Sequence, residues 1–110
     1  MKHIVSSALA AALLLAVGSS HAAVDAAKAK QLAQSKACLG CHAAATKLVG
    51  PAYKDVAAKY KGMDPAKLAA SIKAGGVGKW GQIPMPAQAA VSDAEAKLLA
   101  EWVLAGAPGL

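Results

Sequence analysis

Residues 37–43 read ACLGCHA: Cys38 and Cys41 are separated by two residues, and His42 follows directly. The chain has 110 residues and only these two cysteines. Thiols three positions apart can form a disulfide, work as a redox dithiol, ligate a metal or accept a covalent cofactor. The compartment, the neighbouring elements and the other ligands on offer decide between these.

The compartment is read from the start of the chain. Lys2 and His3 form a short polar opening, Ile4 to Val17 is an apolar run, and GSSHAA (18–23) is a small-residue region. This is the layout of a secretory signal peptide, with the cut placed after Ala22 and Ala23 as the nearby alternative. The apolar run is shorter than the ~20 residues that span a bilayer, and nothing later approaches it, so no stable membrane anchor is expected. Residues 1–22 are therefore assigned to a cleaved signal and 23–110 to one domain.

A domain of this size buries little apolar surface unaided and calls for a disulfide, metal or cofactor. Its aromatics are Tyr53, Tyr60, Trp80 and Trp102, with no Phe, so the protein core is thin. All twelve basic residues are Lys, set against six acids. They are scattered, and the Arg forks typical of phosphate and base recognition are missing, which argues against nucleic acid. A diffuse positive face suits the steering of an acidic protein partner.

The spacing predicts helices and no strand. Asp25 to about Lys36 is rich in Ala, Lys and Gln. A second helix is expected from Pro51 to Gly62, and a third from the Asp64 N-cap with Pro65 at N1 to the stop at Gly75–Gly76. Ser92 and Glu95 form a capping box ahead of a last helix whose apolar face is Leu98, Leu99, Trp102 and Val103, with Trp102 expected against the first helix. Gly106 ends it, and Pro108 follows. Residues 75–91, rich in Gly and Pro, fit neither period, and an irregular loop this long in a small domain is a functional signal.

In this context the thiol readings separate. A disulfide closing so short a loop restrains the unfolded chain little. A thioredoxin-like dithiol wants a strand–helix setting, and a zinc site wants a fourth ligand; neither is available. C-x-x-C-H is the signal for c-type haem attachment. Each thiol adds to one vinyl group of the porphyrin, Cys38 and Cys41 at i, i+3 on a helical turn reach both vinyls, and His42 ligates iron. His3 and His21 leave with the signal, so a second histidine ligand from the same mature chain is excluded. The remaining protein candidates are Met63 and Met85. Met63, in KGMDP, reads as a gap-filling or surface methionine. Met85, in QIPMPA, lies between Pro84 and Pro86, a stiff segment suited to holding a weak thioether ligand. Met85 is taken as the sixth ligand.

The blocks CLGCHAAATKLVGPAYKDVAAKY and GKWGQIPMPA…VSDAEAKLLAEWVLAG resemble the small bacterial class I cytochromes c of the c-551 type, over essentially the whole mature chain. The resemblance implies an all-α class I cytochrome c fold, about four helices wrapped around one covalently attached haem c. It implies Cys38 and Cys41 as attachment points and His42 and Met85 as axial ligands. It further implies that the Pro51 carbonyl accepts the His42 ring N–H and that the Trp80 indole N–H donates to a haem propionate. The chain departs from the family in two places. AQAAVS replaces the usual P-N-A-V-S, leaving Gln88 to stand in for an asparagine near the Met sulfur, and Ser71 stands where an Arg near a propionate is found. Tyr53 is read as packing near the haem.

With both axial positions filled, the expected function is one-electron transfer in the periplasm by a protein that is not an enzyme. Family membership implies redox-protein partners: a bc-type complex as donor, and a nitrite reductase or terminal oxidase as acceptor, met by a monomer. The alternative is a haem protein with a labile sixth ligand, acting in peroxide chemistry or ligand sensing. Val49, Pro84 and Pro86 are expected as an apolar docking contact, with Lys36, Lys47, Lys54 and Lys79 as steering charges.

Overall fold

The computed structural model describes residues 24–110; the assigned signal peptide and both candidate cleavage positions lie outside the described residues. Those residues form four α-helices and one short 3₁₀ turn: α1 (Ala26–Ser35), the turn Cys38–Gly40, α2 (Tyr53–Lys59), α3 (Pro65–Ala74) and α4 (Asp93–Leu104). Among the described residues pairing is limited to one isolated antiparallel bridge, between Gly76 and Met85. The fold is all-α, as the spacing predicts.

Capping sets most of the boundaries. The Asp25 carboxylate accepts the Lys28 N–H at 3.0 Å, and that of Asp64 accepts the Ala66 N–H at 2.9 Å, with Pro65 behind it at N1. At α4 the box is reciprocal: Ser92 Oγ accepts from Glu95 N–H at 3.1 Å, and Glu95 Oε1 accepts from Ser92 N–H at 3.0 Å. Each cap satisfies donors that the first helical turn leaves without partners.

The second helix departs from its expected bounds. It starts at Tyr53, because Ala52 is extended (φ −61°, ψ 140°), and it ends at Lys59 with Tyr60 as C-cap. Pro51 is thus outside the helix, and its carbonyl is free to serve another residue.

The core is built from small residues. Ala29 and Ala33 on α1, and Ala96 and Ala100 on α4, are all fully buried at i, i+4 spacing. Methyl faces of this kind allow close helix approach. Around them pack Tyr53, Val56, Leu68, Val91, Leu99, Trp102 and Val103. Trp102, expected against the first helix, lies in one core cluster with Ala29 and Ala33 of α1; it also meets Tyr53 of α2 edge-on at 5.6 Å, and its indole N–H donates to the Pro108 carbonyl at 2.9 Å. Apart from Leu110 at the end of α4's trailing segment, the exposed large apolar side chains (Leu48, Val49, Val77, Trp80 and Ile83) lie on the two long connections, 41–52 and 75–91.

Candidate functional site

The C-x-x-C-H segment is launched by a strained residue. After α1, Ala37 adopts the left-handed region (φ 60°, ψ 20°), which a residue with a Cβ rarely enters. The chain then tightens into the 3₁₀ turn, with the Cys41 and His42 N–H groups both donating to the Cys38 carbonyl, at 3.2 and 3.0 Å. Cys38 is half-buried, Cys41 is exposed, and the thiols are unbridged. Burial pushes the Cys38 thiol upward, and it pushes the Tyr53 hydroxyl beside it upward too.

His42 is held on three sides. Its Nδ1 lies 2.8 Å from the Pro51 carbonyl oxygen, and its ring stacks on Tyr53 at 4.8 Å between centroids with 17° between planes. On another side Gly50 comes so close that a Cβ there would sit 2.9 Å from Nδ1 and 3.0 Å from Nε2. A carbonyl can only accept, so Nδ1 is the donor here, which in the neutral ring leaves the lone pair on Nε2. Gly50 is tied down in turn, its N–H donating to the Cys41 carbonyl at 2.7 Å. The ring is therefore oriented by the chain before any ligand is considered.

Met85 is held differently. Its N–H donates to the Gly76 carbonyl at 2.8 Å and its carbonyl accepts the Gly76 N–H at 3.0 Å. Three residues further on, the Gln88 N–H donates to the Lys73 carbonyl at 2.9 Å. The segment read as an irregular loop stiffened by prolines is also laced to the end of α3 by backbone bonds. Gln88, a candidate to approach the Met sulfur, has its side-chain amide nitrogen on the Pro86 carbonyl at 3.0 Å. Ser71 lies in the last turns of α3, where its carbonyl accepts the Gly75 N–H at 2.9 Å. Met63 is half-buried against the core.

Trp80 is 37% exposed; it meets Tyr60 edge-on at 5.9 Å, with Lys59 Nζ 4.4 Å above its ring. The same ammonium donates to the Lys79 carbonyl at 2.8 Å, so Lys59 clamps the 79–80 segment to α2. Of the lysines expected to steer partners, Lys47, Lys54 and Lys79 are exposed, whereas Lys36 is half-buried with Nζ on the Ala90 carbonyl at 3.0 Å. Val49, Pro84 and Pro86 are exposed.

Sequence reasoning did not find the tight approaches at Gly50 and Gly75, the Lys59 clamp, or Leu48, Val77 and Ile83 as exposed apolar neighbours. Adjacent glycines at 75–76 were a signal, but one read only as a helix stop.

Two unbridged thiols, an imidazole with its Nδ1 committed and a glycine cradle against that ring match the donor set of a covalently held haem. The family model described as Cytochrome c matches residues 26–107. The chain belongs to the cytochrome c family. This cytochrome c is 50% identical over 97 residues to cytochrome c-552 of Nitrosomonas europaea, spanning 86% of this chain and 88% of that protein. It is 58% identical over 77 residues to cytochrome c-551 of Azotobacter vinelandii, 68% of this chain and 93% of the relative. The crystal structure of wild-type N. europaea cytochrome c552 superposes with a TM-score of 0.67 at 52% identity, covering 69% of this chain and 96% of that one. The protein is a small class I cytochrome c of the c-551 type, an electron-transfer protein with one covalent haem c and not an enzyme.

Proposed function

We propose that this cytochrome c is a periplasmic one-electron carrier whose haem is attached through Cys38 and Cys41 and ligated axially by His42 Nε2 and the Met85 sulfur. The observation that carries the ligand reading is the His42 Nδ1 contact with the Pro51 carbonyl, 2.8 Å long, which leaves Nε2 as the free donor. Bound haem supplies the one-electron couple, and His/Met ligation sets a positive potential.

The chain's own residues do the rest. Pro51 fixes the imidazole tautomer and makes it a better donor. Tyr53 and Gly50 hold the ring plane. Gly76 places the Met85 backbone, and His42 and Met85 together would hold the iron of a bound haem with no position open to small molecules. A site closed in this way exchanges electrons and excludes peroxide or gaseous ligands.

The signal-peptide layout read at residues 1–22 supports the periplasmic assignment; among the described residues no helix is long and apolar enough to cross a membrane. Its partners are redox proteins: a bc-type complex as donor and a nitrite reductase or terminal oxidase as acceptor. They dock on the apolar contact of Val49, Pro84 and Pro86, with Lys47, Lys54 and Lys79 as steering charges. Lys36, spent on a carbonyl, contributes less than these.

The test is Met85→Ala. Covalent haem should stay in place, the sulfur-to-iron charge-transfer band of the oxidised protein should vanish, and carbon monoxide or cyanide should bind readily. Survival of the band would move the ligand role to Met63.

A further inference from the structure

We infer that Gly75 is a positioning residue for Met85: the missing side chain at the end of α3 lets the Met85–Ala87 backbone seat directly against the helix terminus, and this seat sets the reach of the Met85 sulfur. The inference rests on the assignment of Met85 as axial ligand and adds to it the element that places the ligand.

The geometry is specific to this position. A Cβ on Gly75 would overlap the Met85 carbonyl oxygen and stand 2.7 Å from the Pro86 carbonyl carbon and 2.8 Å from the Ala87 nitrogen. All three atoms are backbone, so no side-chain rotation relieves the clash. The strap itself must move away, and with it the Gly76–Met85 bridge. Gly75 also has φ 65° and ψ −168°, a combination essentially confined to glycine. The neighbouring glycines separate these effects. A Cβ on Gly78 meets nothing within 4 Å, yet its φ is 98°. A Cβ on Gly76 also meets nothing within 4 Å, and its φ lies outside the left-handed region. Alanine at 78 therefore imposes left-handed strain without the clash, and alanine at 76 imposes neither.

The experiment compares Gly75→Ala and Gly78→Ala in the haem-loaded protein, titrating imidazole against the oxidised form. A displaced strap weakens the sulfur's hold, so Gly75→Ala should bind imidazole about ten-fold or more tighter than wild type, equivalent to about 1.4 kcal/mol against the sulfur. Its charge-transfer band should weaken in parallel. Gly78→Ala should bind imidazole as wild type does, although it melts earlier. Equal imidazole affinity in Gly75→Ala and Gly78→Ala overturns the positioning role while leaving Met85 as ligand. A Met85→Ala protein that keeps its band overturns the ligand assignment itself, so the two failures are distinct.

Should Gly75→Ala not fold, amide exchange decides. A seat made by the chain persists without the sulfur. The Met85→Ala protein should then keep the residue 85 and Gly76 amides protected relative to the Leu99 and Ala100 amides of α4, within about three-fold of the wild-type ratio. Selective loss of about a hundred-fold or more at the strap would show that the sulfur pulls the strap into place, and would overturn the inference.

Discussion

The two sides of the proposed haem site are built on opposite plans. On the His42 side the side chain itself is gripped, by the Pro51 carbonyl, the Tyr53 ring and Gly50. Tyr53 then passes that grip into the core, where it meets the fully buried Trp102. On the Met85 side it is the backbone that is gripped, by Gly76 and the end of α3, and most of the surrounding loop is exposed. Disturbing the His side should therefore disturb folding. The Met side should be separable, so that a ligand can be lost while the fold survives.

The largest test removes what both sides share. A Cys38→Ala, Cys41→Ala protein made without covalent haem should lose most of its helical signal in far-UV circular dichroism, since the thin core leaves much of the apolar burial to the cofactor. A cooperative, fully helical apoprotein would break the comparison at its base.

Next comes the difference between the sides. Tyr53 is 6% exposed, and Tyr53→Ala should cost about 3–5 kcal/mol in denaturant unfolding, in the range of other buried aromatic truncations. Val77 on the Met-side loop is 65% exposed, and Val77→Ala should stay within about 0.5 kcal/mol of wild type. Comparable losses would show that the loop carries core energy too.

A smaller effect separates global stability from ligation. Ser92→Ala removes the α4 cap and should cost about 1 kcal/mol while leaving the charge-transfer band unchanged. A weakened band would show that α4 stability feeds into the Met side.

The smallest effect concerns pH. The Lys73 ammonium pairs with Asp93, linking the end of α3 to the start of α4, and holds that carboxyl below its ordinary value. With the folded pKa depressed, the folded state binds fewer protons than the unfolded one as pH falls. The pair's contribution is thus present above the unfolded value of about 4 and is lost as pH drops through the lower folded value. Asp93 is exposed, so the contribution is small. The thermal-melt difference between wild type and Asp93→Asn should be measurable near neutrality and close as the pH is lowered below the ordinary carboxylate range. A difference that grows with acidity would reject the pairing as its source.

What was legible in the sequence was whatever acts locally along the chain. The Asp25, Asp64 and Ser92–Glu95 caps lie within three residues of the groups they bond, and the C-x-x-C-H spacing needs only one tight turn. These signals sufficed for the helices and the haem, and they are what puts His42 forward as a proposed ligand. The second helix was misplaced at its start because Pro51 suits a first turn as well as it suits extended chain. Bonds across the chain hold it in the extended form: its carbonyl with His42, nine residues away, and the Tyr53 and Lys54 N–H groups on the Ala43 and Ala44 carbonyls.

The tertiary structure alone decided how the proposed ligands are held. Gly75 facing the Met85 strap, Gly50 facing an imidazole, and Lys59 reaching across to Trp80 are contacts between segments distant in the chain or folded back on themselves. A glycine's reason for being a glycine is the atom that would collide with its Cβ. That atom is placed by packing, and no periodicity or local propensity carries its position. The residue types at the site were thus determined by chemistry that works over a few bonds along the chain. Their distances were left to the close approach of backbones, which only the folded chain defines.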